Sequence, residues 1–475
     1  MSPAAPRRLL SLTLSLLLAA CAGGPSTPQG GSKTPSDAAE NPAGFRWHVP
    51  EARTPTSAAK PSARPRQGSG PLAGFFTELA AVERGERREP LLILQLGDSH
   101  TAGDRFSGRL RERFQTQFGA SGRGELPPAV PFDYYRPQGV QITASPGWII
   151  SRAGAAKPEG LFGVSGFRAR ATKPGDRATL TSTETAGFDT LLLTVLRQPL
   201  GGTLELEIDG QRLPPISTAA ETGPQVARLS VPVPAGSHQA VLTARADGPT
   251  DLLAWGATRQ QPGVLLEAHG TVGATIKLVR RFDAATLAFE LADRRPDLIL
   301  LAFGTNEGFQ DGWTADVYSA EAAAALADLR RAAPGVDIAV IGPPDGNRLA
   351  TSGCSPAATR QCLAPGQALP PQPAVKAGAR KPVAACRWAI PGNLAMVRQT
   401  LSGLAAREKL FFWDWSQVMG PCGANAWALQ DPPLAGQDRV HYRPEGYARA
   451  ADALYDQLMA DFAAWKGKGG AVAQR

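Results

Sequence analysis

A chain of 475 residues, 43% hydrophobic and with a formal net charge of +8, is long enough for two or three domains and a sizeable core. Beyond its N-terminus it holds no apolar run long enough to cross a bilayer as a helix. Its Lys and Arg are scattered rather than striped, which argues against a nucleic-acid partner and fits mild attraction to an anionic cell envelope.

In chain order, Arg7 and Arg8 precede the apolar stretch LLSLTLSLLLAAC, the charged start, short apolar segment and small-residue end of an export signal over residues 1–20. Losing Arg7 and Arg8 with it takes the net charge from +8 to +6. Leu18-Ala19-Ala20-Cys21 resembles the lipobox of bacterial lipoproteins. That resemblance implies cleavage before Cys21, lipid modification of Cys21 and anchoring to a membrane outside the cytoplasm through acyl chains. Ala22 rather than Asp after the Cys implies, on the same resemblance, the outer membrane facing the periplasm. Cys354, Cys362, Cys386 and Cys422 remain, an even set in an oxidising compartment, so two disulfides with three possible connectivities are expected. Their spacing lacks a CxxC pair, which argues against zinc.

Residues 21–70 are rich in Pro, Ala, Ser, Gly and Thr and read as a disordered tether. A globular segment is expected over 71–125. In it, LLILQL (91–96) has the continuous apolar character of a strand buried on both faces. Phe106, Leu110, Phe114 and Phe118 then recur at helical spacing up to Gly119. Over 126–260 the texture becomes short alternating runs (DTLLLTVL, TLELEID, QVARLSVPV, HQAVLTARA) broken by turn residues, which predicts an antiparallel β-sandwich inserted into the first domain. Over 261–466 strands and helices alternate again: a helix at 274–293, the run 297–303, a helix at 314–332, VDIAVIGPP, a Pro-rich loop 345–388, a helix at 392–407, LFFWDW and a last helix at 445–464. This predicts a parallel sheet with helices on both faces, and 467–475 reads as a flexible tail.

Reactive groups collect at the carboxyl ends of such strands, and QLGDSHTAGD (95–104) places Ser99 there. Ser99 is either a nucleophile or a helix N-cap on this evidence, and the G-x-S-x-G elbow is absent. A serine nucleophile needs a base. Of five histidines, His48 falls in the tether, His238 in a hairpin turn, His100 beside Ser99 with a diverging side chain, and His269 in a loop where it either lines the site or is a partly buried polar residue. His441 is left, with Asp438 three residues earlier to fix its tautomer. Asn306 in AFGTNEG and Gly273 in HGTVGAT, the latter at a helix start, are candidate donors to an oxyanion. Nothing calls for a metal or other cofactor.

Ser99 in GDS, Gly273 in HGTVGAT, Asn306 in GTNE and Asp438 with His441 in DRVH resemble, in order, the four blocks of the SGNH (GDSL) hydrolase superfamily. The resemblance implies a flavodoxin-like three-layer parallel sheet, Ser99 as nucleophile, His441 as base, Asp438 as its orienting acid, and the Ser99 N–H, Gly273 N–H and Asn306 amide as oxyanion donors. The extended first block, the following FGASGRG and the inserted β-domain are similar to Gram-negative peptidoglycan O-acetylesterases. This implies removal of O-acetyl groups from C6 of N-acetylmuramoyl residues, with a carbohydrate-binding-module-like insert. His269 and Glu307 depart from the common Asn and Asp. Two other readings share these residues: an O-acetyltransferase, and an inert envelope-binding lipoprotein. The insert either binds sugar or walls the cleft, and Trp148 and Trp255 near its boundaries are either stacking platforms or core.

Overall fold

The computed structural model describes residues 45–49, 69–349 and 387–469, and the backbone alone at 362–363. Cys21, Cys354 and Cys386, and with them the lipidation site and most of the expected tether and loop, lie outside the described residues. Cys422 is disulfide-bonded.

Five strands form an all-parallel sheet: β1 (Leu91–Gly97), β2 (Val264–Gly270), β3 (Leu298–Ala302), β4 (Asp337–Gly342) and β5 (Phe411–Asp414), in the order β2-β1-β3-β4-β5. All seven residues of β1 are buried, because alternate side chains enter two different cores. Leu91 and Ile93 join one with helices α1 (Ala73–Glu83), α2 (Arg105–Phe118) and the C-terminal helix Pro444–Gly469. Leu94 and Leu96 join the other with helices Ala284–Arg294, Ala315–Ala332 and Gly392–Arg407. These are the three layers expected of the α/β part.

Two antiparallel sheets lie between β1 and β2 in the chain and share one apolar core. One contains Phe188–Arg197, Gln225–Ser237 and Thr250–Thr258, the other Arg177–Ser182, Thr203–Ile208 and Gln239–Ala244. Gly122–Leu126 pairs with Thr250–Thr258, so the antiparallel part begins a few residues before the expected boundary at 126. The strand was hidden because its sequence, GRGEL, has two glycines and two charges. Its burial comes from ion pairs, Arg123 to Asp104 at 2.8 Å and Glu125 to Arg228 at 2.8 Å.

Three further expectations are corrected and one open alternative is decided. Arg46–His48 is a strand on the edge of the first antiparallel sheet, paired with Ser230–Arg228, and His48 forms an ion pair with Asp293 at 2.8 Å. An aromatic at Trp47, under the Arg197 guanidinium at 5.2 Å, gives this piece of the expected tether a surface to bind. The helix expected over 274–293 breaks into a 3-10 turn, Ile276–Arg281, and the helix Ala284–Arg294, because Asp283 caps the second through the Thr286 N–H. His269 is inside β2 rather than in a loop, and is buried. Trp148 and Trp255 are 7% and 0% exposed, so both are core and neither is a stacking platform.

Candidate active site

The carboxyl edge of the parallel sheet gathers the candidate residues. Ser99 opens a single-turn helix, Ser99–Ala102, two residues after β1. The cap of that turn is Asp98, whose carboxylate accepts the His100 N–H at 3.0 Å, so the Ser99 hydroxyl is not used as a cap. Burial pushes the Asp98 carboxyl up to about 6, against hydrogen bonds from His100 and Thr305 that favour its charged form. The turn fits only because residue 270, at the end of β2, is glycine: a Cβ there would run into the backbone of Thr101 and Ala102.

His441 and Asp438 stand on a loop closed by an antiparallel bridge between Ala435 and Tyr442 and by the Gly436 N–H donating to the His441 carbonyl at 2.8 Å. Arg439 pins the loop from within. It holds a left-handed backbone (φ +59), its carbonyl accepts the Asn347 N–H at 2.7 Å, and its Nε donates to Asn425 Oδ1 at 3.2 Å.

The result is a connected chain. Ser99 Oγ lies 2.9 Å from His441 Nε2, and His441 Nδ1 lies 2.7 Å from Asp438 Oδ2. Asp438 Oδ1 accepts the N–H groups of Val440 and His441, both at 3.1 Å. Burial works against its charge, yet the His441 ring and these two N–H groups hold the Asp438 carboxyl down to about 2. An ionised Asp438 accepts a hydrogen bond from Nδ1–H, which leaves Nε2 to accept from the Ser99 hydroxyl, the arrangement that removes a proton from an attacking serine. His441 and Asp438 are exposed and Ser99 is partly so, so a bulky ester has access.

The donor turns lie beside it. Thr271 N–H donates to the Gly97 carbonyl at 3.0 Å, tying the end of β2 to that of β1. Gly273 is in the turn that follows, not at a helix start as expected, with φ +75 and open space where a Cβ would point. A left-handed φ of this size favours glycine. Asn306 lies in the single-turn helix Thr305–Gly308 after β3, and its Nδ2 donates to the Ala274 carbonyl at 2.7 Å. Among the described residues no acceptor meets the backbone N–H of Ser99 or of Gly273. The edge therefore offers two unpaired N–H groups and an amide beside the serine.

Three residues of this site were not assigned a role from sequence. Glu307 accepts the Ile276 N–H at 2.7 Å. His100 is buried, with its ring 5.3 Å from those of His441 and Tyr442 and its Nδ1 3.0 Å from the Tyr447 hydroxyl. Asp104 receives Arg111, Arg123, Ser107 and the Gln138 N–H. Their own turns, GDSHTAGD and GTNEG, are largely polar, so no local signal set them apart.

Residues 237–449 match the model of the GDSL-like lipase/acylhydrolase family, a span that holds Gly273, Asn306, Asp438 and His441 but starts after Ser99. No curated protein matches the chain. Among solved structures, a peptidoglycan O-acetylesterase is similar over 84% of this chain and 99% of its own, with 24% identity and a TM-score of 0.65. A family two carbohydrate esterase from Clostridium thermocellum, in complex with cellohexaose, aligns over 67% of this chain and 100% of its own at 11% identity, TM-score 0.27. One from Cellvibrio japonicus aligns over 69% and 98% at 12% identity, TM-score 0.26. The first likeness is one of fold.

Proposed function

From the match of residues 237–449 to the GDSL-like lipase/acylhydrolase family, we propose that the chain is a serine esterase of that kind, removing O-acetyl groups from a cell-envelope polysaccharide, peptidoglycan first. The observation that carries the proposal is the chain Ser99–His441–Asp438, at 2.9 and 2.7 Å, open to solvent at the end of the parallel sheet. In this reading Ser99 Oγ attacks the acetyl carbonyl while His441 Nε2 takes its proton. The oxyanion that forms is received by the N–H groups of Ser99 and Gly273 and by the Asn306 amide. His441 then protonates the departing sugar oxygen, leaving an acetyl group on Ser99. Water, deprotonated by His441, attacks that ester, and acetate leaves as Ser99 regains its proton.

The substrate class rests on the extended QLGDSHTAGD block and on the two antiparallel sheets, read here as an inserted sandwich of the kind found in peptidoglycan O-acetylesterases. Placement in the envelope rests on the export signal and on a lipidated Cys21. An inert lipoprotein is disfavoured by the aligned Ser99, His441 and Asp438. Purified protein lacking residues 1–21 is expected to release acetate from an aryl acetate and from O-acetylated peptidoglycan, and Ser99→Ala to abolish both. Undiminished release by Ser99→Ala would overturn the nucleophile. Dominant acetyl transfer to a muramoyl oligosaccharide over release to water, read by mass spectrometry, would make the protein a transferase instead.

A further inference from the structure

A cavity of about 280 Å³ opens between the antiparallel sheets and the turn that carries Gly273. Thr271 and Val272, the two residues before Gly273, form one wall, and Pro131, Phe132, Tyr134 and Arg152 form the other. A second hollow of about 390 Å³ shares Pro131 and Arg152 with it, so the two adjoin and form one groove.

The lining has a definite chemistry. Tyr134 is 63% exposed, yet it is propped from behind by Phe132 at a ring separation of 4.8 Å, and Phe132 packs in turn on Tyr135 and Phe167. An aromatic ring held out to solvent on a packed base is a stacking platform, with little conformational freedom left to lose on binding. Among the described residues neither the Arg152 guanidinium nor the Asp133 carboxylate that also lines the cavity has a side-chain partner. One apolar ring face, one cation and one anion, the two charges unpaired, suit a ligand with a flat apolar face and both donors and acceptors around its rim. A pyranose ring has that form, whereas an acyl chain would leave the polar groups unpaired and a simple anion would face Asp133.

We infer that this groove is a glycan subsite: a sugar residue neighbouring the acetylated one stacks on Tyr134 and is hydrogen-bonded at its edge by Arg152 and Asp133. The inference rests on the esterase reading for its substrate, and it gives the antiparallel sheets a share in positioning that substrate rather than a separate binding function.

Steady-state kinetics of Tyr134→Ala and Arg152→Ala on two substrates test it. On an aryl acetate, too small to reach the groove, both variants are expected within twofold of the unaltered protein. On soluble O-acetylated peptidoglycan oligosaccharides both are expected to lose tenfold or more in kcat/KM, chiefly through KM. Equal losses on the two substrates, or none on the oligosaccharide, would overturn the subsite. Titration calorimetry with the same oligosaccharide after chemical de-O-acetylation reads binding without turnover. The unaltered protein should bind it and Tyr134→Ala should bind at least fivefold more weakly; no binding, or equal binding, counts against the subsite whatever the catalytic result. Failure of the esterase reading is seen separately, as absence of acetate release by the unaltered protein.

Discussion

The side-chain amide of Asn306 donates to the Ala274 carbonyl at 2.7 Å, and the next residue, Glu307, accepts the N–H of Ile276, two residues after Ala274, at the same distance. The two bonds form a short ladder between the turn after β3 and the turn after β2, fixing Asn306 against the segment that carries Gly273. Glu307 is fully buried, and burial pushes its carboxyl up to about 7, so the bond does not require a full charge. Glu307→Gln keeps an acceptor for Ile276 and is expected to retain kcat within about threefold. Glu307→Ala releases the ladder and is expected to lower kcat on an aryl acetate roughly tenfold, a fraction of the effect of deleting an oxyanion donor outright, with KM unchanged. Equal kinetics for the two variants would remove Glu307 from any positioning role.

His100 invites confusion with a catalytic base because it adjoins Ser99 and its ring lies 5.3 Å from that of His441. Burial first, and the His441 charge second, push its imidazole down to about 3, and its Nε2 has no hydrogen-bond partner. A neutral ring packed among Trp415, Tyr442 and Tyr447 acts on His441 by shape. His100→Phe is therefore expected to keep at least about a third of kcat. His100→Ala should lower kcat about tenfold and, separately, cost about 2–4 kcal/mol of stability through the void it leaves. A His100→Phe protein as inactive as His441→Ala would show that the imidazole itself takes part in catalysis.

The sequence was most legible where structure is local. LLILQL is a strand because five of its six side chains are apolar, and Asp438 and His441 share one loop. Ser99, Gly273 and Asn306 could be placed because each follows a run of strand character. What remained hidden was set by partners distant in the chain: His100 meets Tyr447 across 347 positions, and Arg87 meets Asp297 across 210. His269 looked like a loop residue because polar side chains in a buried strand contradict the apolar pattern, yet β2 takes it in fully. No periodicity reveals such contacts, since the groups that offset the cost of burial belong to other elements.

Buried titratable groups set an expected pH dependence of stability. Burial raises the carboxyls of Asp98 to about 6, Glu307 to about 7 and Glu290 to about 8. The folded state therefore binds more protons than the unfolded one, and stability falls as pH rises from the ordinary carboxylate range through these values. Burial lowers the imidazoles of His100 to about 3 and His269 to about 4; this has the opposite sign and ends near the unfolded histidine value of about 6.5. Between pH 6.5 and 8.5 only the carboxyl effect remains of these five, at up to about 1.4 kcal/mol per pH unit for each whole proton. The melting temperature is expected to fall across that window. Glu290→Gln, which keeps an acceptor for the Val164 N–H, should flatten the fall; a melting temperature that rises from pH 6.5 to 8.5 would contradict this account.

Asp104 joins the nucleophile turn to the antiparallel part. It is buried, and its two oxygens receive Ser107 Oγ at 2.7 Å, Arg111 at 3.1 Å, Arg123 at 2.8 Å and the Gln138 N–H at 2.8 Å. Burial opposes its charge, but the two guanidiniums hold the carboxyl down to about 2, so the cluster is ionised at neutral pH. Its backbone is left-handed, φ +48, a conformation that Asn adopts nearly as readily as Asp. Asp104→Asn therefore changes the charge with little added strain. It leaves Arg111 and Arg123, 4% and 2% exposed, without their shared carboxylate. Removing one side of a buried ion cluster costs about 3–5 kcal/mol, and urea unfolding at pH 7 should show a loss of that size. The Asp104 N–H also closes the turn that ends at Ala102, donating to the Thr101 carbonyl at 3.0 Å, so acetate release is expected to fall with stability even at temperatures where the variant is folded. A loss below about 1 kcal/mol with full activity would mean that the two arginines find other partners, and that this junction does not hold Ser99 in place.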